Sequence, residues 1–277
     1  MSRWRIRDAM PQALSIDNFV DAHNNDPTIE LCGKLAIVRS ILEAEQGSSI
    51  CVDRLKHPPT LNFERVADSR HNSFFQLLTE NCRREELADR LSRISLVVFN
   101  YDRAIEHFLH FSLQNYYGMS QVNAAEVLQS LKIFHPYGAV GALPWQGLTP
   151  AVEYGAEIRP QDLSTLADGI RTFSEGTDPD SSEIDDLREA IRIAERIVFL
   201  GFAYHPQNME LLDPGSGSSC ERIKSFGSAM GTSSHDVGII EDDILRLVSG
   251  AHAEIILIND LTCGQLVSEF WRGLALR

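Results

Sequence analysis

Ser95-Leu96-Val97-Val98-Phe99-Asn100-Tyr101-Asp102 is the stretch whose reading decides the fold. The first five residues are an apolar, β-branched run bounded by polar neighbours, which reads as a parallel strand buried on both faces. The Asn100-Tyr101-Asp102 turn passes at once into a helix. Ile105, Phe108, Leu109 and Tyr116 form its apolar stripe and Gly118 closes it. Downstream the same unit recurs. A short helix over 122–130 precedes the strand Leu131-Lys132-Ile133-Phe134, which ends in His135-Pro136-Tyr137-Gly138, and a Pro- and Gly-bearing excursion runs to about Arg159. The acidic segment 175–186 (EGTDPDSSEIDD) reads as a solvated loop into a helix capped by Ser181 or Ser182 and ending near Arg196. Ile197-Val198-Phe199-Leu200 is a third strand entering Gly201-Phe202-Ala203, and Arg222-Ile223-Lys224-Ser225-Phe226 a fourth entering Gly227-Ser228. Residues 255–258 suit either a strand or a buried helix, and the last helix lies near 264–274.

Upstream the chain reads helical from 15 to about 46. Ser15 is an N-cap, and after Asp26-Pro27 a second helix carries Leu31, Leu35, Val38 and Leu42, ended by Gly47-Ser48-Ser49. His57-Pro58-Pro59 is a loop, and roughly 69–92 is again helical. Strands alternating with helices, each strand ending in a polar or glycine turn, predict an α/β fold: an open, mostly parallel sheet covered by helices. The expected organisation is one domain over 1–277, mainly helical over 15–92 and sheet-bearing over 93–277. Ligands of such sheets bind at the strands' carboxyl ends.

Composition narrows the function. Twenty-five Lys and Arg stand against 39 Asp and Glu, a formal charge of −14. That balance disfavours a nucleic-acid partner, which needs clustered cations. A small anionic ligand remains compatible, since a few backbone N–H groups can hold one. No apolar run approaches the roughly 18 residues needed to cross a bilayer. Five widely spaced cysteines without a C-x-x-C give neither a disulfide framework nor a zinc ribbon. The basic N-terminus lacks the apolar core of a signal peptide. The expectation is a cytoplasmic globular protein with no membrane or metal association. Signatures of serine hydrolases, zincins and P-loop proteins are absent.

The candidate site residues all fall at strand ends. Asn100 can orient a water or a sugar hydroxyl, and Asp102 can hold a carboxamide or ribose hydroxyls; alternatively Asp102 caps the following helix. His135 can act as a general base near neutral pH or be a hydrogen-bonded loop histidine, and Gly138 would let a ligand approach the backbone. Gly201, Gly227 and Ser228 belong to small-residue turns that can present N–H groups to a phosphate or ribose. His107 and His110, three apart on a helix, read as core or surface residues rather than ligands, because no third ligand has suitable spacing.

Taken in order, Ser15-Ile16-Asp17-x-Phe19, Gly33-Lys34-x-Ala36-Ile37, Phe99-Asn100-Tyr101-Asp102-Arg103-x-Ile105-Glu106, His135-x-Tyr137-Gly138 and Gly201-Phe202-x-Tyr204-His205-Pro206-x-Asn208 resemble the bacterial sirtuin-like domain proteins. These are relatives of the sirtuin deacylases, several of which cleave NAD in anti-phage defence. The resemblance runs from about Ser15 to Trp271. It implies a Rossmann-like sheet with a helical insertion and NAD lying across the strand ends as substrate. Asn100 and His135 would be catalytic, and Asp102, Gly138, Gly201, Gly227 and Ser228 would bind the dinucleotide. The expected reaction releases nicotinamide and ADP-ribose; the alternative is a catalytically inactive nucleotide-binding sensor or scaffold. A homo-oligomer or a defence-partner protein would be its protein contact. Two departures stand out. The zinc cysteines of the deacylases are absent, which argues against protein deacylation. The family's opening strand and glycine-rich turn, which hold the pyrophosphate, have no counterpart before Ser15, so the chain reads as lacking the family's first strand. Arg103 is the one basic residue beside the Asn100 motif to meet an anionic substrate.

Overall fold

The computed structural model describes residues 2–13, 15–53, 59–159, 161–172, 175, 181–215, 220–248 and 252–276. Residues 57–58 of the expected proline loop and 176–180 of the expected acidic loop lie outside them. The helices are α1 (Ser2–Ala9), α2 (Ile16–Asp21), α3 (Pro27–Gly47), α4 (Arg70–Thr79), α5 (Leu87–Ser92), α6 (Ala104–Tyr117) and α7 (Gln121–Leu128). They continue with α8 (Leu163–Ala167), α9 (Ser182–Arg192), α10 (Pro206–Leu212), α11 (Ser234–Leu247), α12 (Cys263–Glu269) and α13 (Trp271–Leu274). The strands are β1 (Ser95–Val97), β2 (Lys132–Phe134), β3 (Arg196–Phe199), β4 (Arg222–Ser228) and β5 (His252–Ile258). The chain is mixed α/β with parallel sheets. It divides into two compact units, one of Met1–Val66 with Arg84–Thr177, the other of Ala67–Arg83 with Asp178–Arg277.

In the first unit β1 and β2 pair in parallel, Leu96 opposite Ile133, and the Val98 N–H extends the ladder to the Phe134 carbonyl at 2.9 Å. The helices begin where the sequence places caps. Ser15 Oγ accepts from the Asn18 N–H, and the Asp26 carboxylate accepts from the N–H groups of Thr28 and Ile29 ahead of Pro27. Two expectations need correction. β1 is not buried on both faces: Ser95 is exposed and Leu96 and Val97 are half-buried, and among the described residues β2 is its single partner strand. The inward face of α3 is set by Ile29, Gly33, Ile37, Val38 and Leu42, while Leu31 is 47% exposed. This helix carries apolar residues on more than one face, so its stripe could be drawn two ways. Ile37, Val38 and Leu42 pack with Val140, Val152, Leu166, Ala167 and Ile170, fastening the excursion after Gly138 onto α3.

Beneath that contact lies a buried ion pair. Glu45, on the last turn of α3, meets Arg103 with Nε–Oε1 at 3.1 Å and Nη2–Oε2 at 2.6 Å. The same carboxylate accepts from the backbone N–H groups of Arg103 and Gly155, at 3.3 and 2.9 Å. Arg103 Nη1 in turn donates to the Val152 carbonyl at 2.6 Å.

In the second unit β3, β4 and β5 form a parallel sheet in that order, with Phe226 opposite both Val198 and Ile256. Central β4 is buried from Ser225 to Ser228. Residues 255–258 are strand, completing β5. Phe226, Leu266, Val267, Leu274 and, from α4, Leu77 make this unit's core. The helical stretch expected over 69–92 is interrupted: α4 ends at Thr79, whose hydroxyl donates back to the Phe75 carbonyl, and Asn81 adopts φ +52°. Ser181 caps α9, which stops at Arg192 rather than near Arg196.

Removing one member of a buried pair strands the other in a low dielectric. Glu45→Ala should therefore lower unfolding stability by about 3–5 kcal/mol in urea denaturation. A loss below about 1 kcal/mol, the scale of a surface pair, contradicts this role for Glu45.

Candidate functional site

The first unit holds Asn100, Asp102, His135 and Gly138. Asn100, just beyond β1, is exposed. Arg103, not Asp102, holds the N-cap position of α6; Asp102 Oδ1 accepts from the Ala104 N–H at 3.0 Å one residue before it, and Oδ2 has no protein donor among the described residues. Tyr101 fixes the turn between them: its hydroxyl lies 2.8 Å from the Arg171 carbonyl and 3.2 Å from Asp17 Oδ1, its single proton shared between these two acceptors. Burial pushes both the Tyr101 hydroxyl and the Asp17 carboxyl up.

His135 follows β2 directly and is the centre of the cluster. Its Nε2 lies 2.6 Å from Oε1 of Glu106, on the first turn of α6. The carboxyl is buried and the imidazole side chain 16% exposed. Glu106 Oε2 and His135 Nδ1 are both buried and make no hydrogen bond of good geometry among the described residues. Burial works against the imidazolium; the Glu106 carboxylate, the Asn100 backbone and the Asp102 charge outweigh it and raise His135 above its ordinary value. Glu106 had no role in the sequence reading. Its signal is a single carboxylate among the apolar residues of 104–109, a position that demands a partner once the helix is buried.

Gly138 serves the protein itself. With φ +78° it lets the Gly169 carbonyl approach to 2.0 Å of where a Cβ would stand, so the backbone arriving there is the chain's own. Arg103, expected to meet an anionic substrate, is instead consumed by Glu45 and is 1% exposed.

The second unit holds Gly201, Gly227 and Ser228 at the carboxyl ends of β3 and β4. The Gly201 N–H donates to Ser228 Oγ at 3.4 Å, and that hydroxyl also lies 3.4 Å from the Cys263 thiol at the start of α12. Gly227 faces inward, where a Cβ would come within 2.4 Å of the Tyr204 hydroxyl and 2.8 Å of Leu257. Its role is to admit the Tyr204 ring, whose hydroxyl donates to the Ser228 carbonyl.

His107 and His110 are packing residues. Each is 4% exposed; His107 stacks on Tyr154 and donates from Nε2 to the Ile50 carbonyl, and His110 stacks on Trp145 and donates from Nε2 to the Gln121 carbonyl. Burial lowers His110 below its ordinary value. Among the described residues no group of three or more His, Cys, Asp and Glu is placed to hold a metal ion, and no helix is long and apolar enough to cross a membrane.

No family model, curated protein or solved structure matches the chain. The functional reading therefore rests on the side chains themselves, and the His135–Glu106 pair is the most chemically specific of them.

Its proton linkage is testable. Folding raises the affinity of His135 for a proton, so its contribution to stability is fully present below the ordinary value of 6.5 and is lost as pH rises through the higher folded value. The stability gap between wild type and Glu106→Gln, followed by denaturation from about pH 5.5 to about pH 9, should narrow with rising pH. A gap constant across that range contradicts the linkage.

Proposed function

We propose that this chain is a Rossmann-like, sirtuin-like NAD-binding protein that hydrolyses NAD to nicotinamide and ADP-ribose. The observation that carries the reading is the buried His135–Glu106 pair at the carboxyl end of a parallel strand, with Asn100 and Asp102 acting on the same imidazole. Strand order supports the fold. In a doubly wound sheet of order 3-2-1-4-5-6, strands 2 and 3 pair with each other and strands 4, 5 and 6 pair in sequence. The all-parallel pairings β1–β2 and β3–β4–β5 match those two sets. Strand 1 has no counterpart among the described residues.

In the proposed reaction the bond between ribose C1′ and the nicotinamide nitrogen breaks, its electron pair neutralising the pyridinium. The oxocarbenium-like carbon is captured by water, whose proton passes to His135 and then to solvent. Asn100, exposed beside the strand end, orients the water or a ribose hydroxyl, and the uncommitted Oδ2 of Asp102 takes the carboxamide NH₂ or a ribose hydroxyl. Glu106 orients the ring and stabilises the imidazolium formed by proton transfer. His135 must first be neutral, so turnover should rise as pH climbs through its raised value.

The second reading, a nucleotide-binding sensor or scaffold without turnover, draws on the same pair. Glu106 occupies Nε2 and Nδ1 is covered, so the imidazole presents no ring nitrogen outward unless the ring turns or the Asn100 turn shifts. In either reading the resemblance suggests a role in anti-phage defence, with a second copy or a defence protein as partner.

Nicotinamide release from NAD separates the two. The hydrolase reading expects turnover by wild type, a loss of about 10²–10⁴-fold in His135→Ala, and a pH profile displaced to lower pH in Glu106→Gln. No release by wild type across neutral and alkaline pH removes the hydrolase and leaves the sensor.

A further inference from the structure

A cavity on the first unit plays no part in the chemistry at His135. It measures about 470 Å³ and lies between the end of α3 and the 151–158 segment. That volume falls in the roughly 300–1,000 Å³ range of small-molecule sites. Buried Val152 and Gly155 form its floor, and exposed Gln46, Glu153 and Glu157 stand at its mouth. Half-buried Ala156 and Ile158 add apolar wall.

The shape is held from behind. Gly155 donates its N–H to Glu45 Oε2 at 2.9 Å, and the Val152 carbonyl accepts from Arg103 at 2.6 Å. With φ +64°, Gly155 packs so close to α3 that a Cβ would stand 2.8 Å from the Gln46 backbone. The floor is therefore anchored to the buried ion pair before any ligand arrives, which lowers the ordering cost of binding.

The charge of the lining is one-sided. Among the described residues the side chains of Glu153 and Glu157 make no ion pair or hydrogen bond, and no Lys, Arg or His lines the cavity. Arg159, the next basic residue along the chain, is paired with Asp162 at 2.8 Å. Two unpaired carboxylates at the mouth of an apolar recess favour a cation with a hydrocarbon body. A divalent metal ion fits poorly, because it needs a compact shell of oxygens. Among the described residues no group of three or more His, Cys, Asp and Glu is placed to begin one.

We propose that this cavity binds an aliphatic polyamine. Its methylenes lie along Val152, Ala156 and Ile158, its ammonium groups meet Glu153 and Glu157, and the Gln46 amide oxygen is a further acceptor. The site is independent of the NAD reading, and neither stands or falls with the other.

Calorimetric titration of the intact protein with spermidine tests it, at about 0.15 M salt so that distant charges are screened. One-to-one saturable binding is expected, with Kd raised about fivefold or more in Glu157→Gln and further in the double variant Glu153→Gln/Glu157→Gln. Both residues are exposed, so these variants keep the fold. Glu126→Gln, which removes an exposed carboxylate of α7 outside the cavity, should bind as wild type does. Hydrogen–deuterium exchange should slow in peptides covering 151–158 when spermidine is bound. Magnesium at equal concentration should produce neither effect. No binding at millimolar spermidine overturns the site, as does binding undiminished in the double variant. An equal response to magnesium, or protection confined to other segments, would reveal only the counter-ions of a chain of charge −14 and overturn it as well.

Discussion

Glu45 and Arg103, 2% and 1% exposed, face each other in the interior of the first unit, and between them they satisfy backbone groups on two further segments, the turn at Arg103 and the 142–155 excursion. The carboxylate receives the Arg103 and Gly155 N–H groups, and the guanidinium reaches the Val152 carbonyl. Two charges removed from water are tolerable only with such complete hydrogen bonding. The consequence is positional: the end of α3, the turn leading into α6 and the 142–155 excursion share one fixed point. Asp102 lies immediately before Arg103 and Glu106 three residues after it, so the pair that fastens the fold also sets the turn on which the candidate chemistry stands.

Polarity is divided between the two units according to what each can satisfy internally. In the first, buried cationic and acidic groups are matched: Arg103 with Glu45, His135 with Glu106. In the second, the strand ends present the Ser228 hydroxyl and the Cys263 thiol, 3.4 Å apart.

Much of the fold was legible because local signals agreed with one another. Apolar runs ending in polar turns located β1 to β4, and Ser15, Asp26 and Ser181 capped helices as their chemistry requires. The face of α3 and the burial of β1 were not legible, since both depend on which neighbours arrive from far along the chain. Among site residues, His135 was legible as a strand-end histidine, whereas Glu106 and Glu45 were not. A buried carboxylate looks in sequence like any surface one until its partner, 29 or 58 residues away, is known. The glycines carry a constraint that sequence does not display: the missing side chains of Gly138 and Gly227 make room for Gly169 and Tyr204.

Hydrolase and sensor share one claim, that the strand ends of this chain hold an adenine-nicotinamide nucleotide or its ADP-ribose product. Calorimetric titration of the intact protein with ADP-ribose tests it most directly, because binding needs no catalysis. The account predicts saturable one-to-one binding that persists in His135→Ala and weakens about tenfold in Asp102→Ala, where the carboxylate offered to the ribose is gone. Absence of binding to the wild-type protein at millimolar ADP-ribose would contradict it.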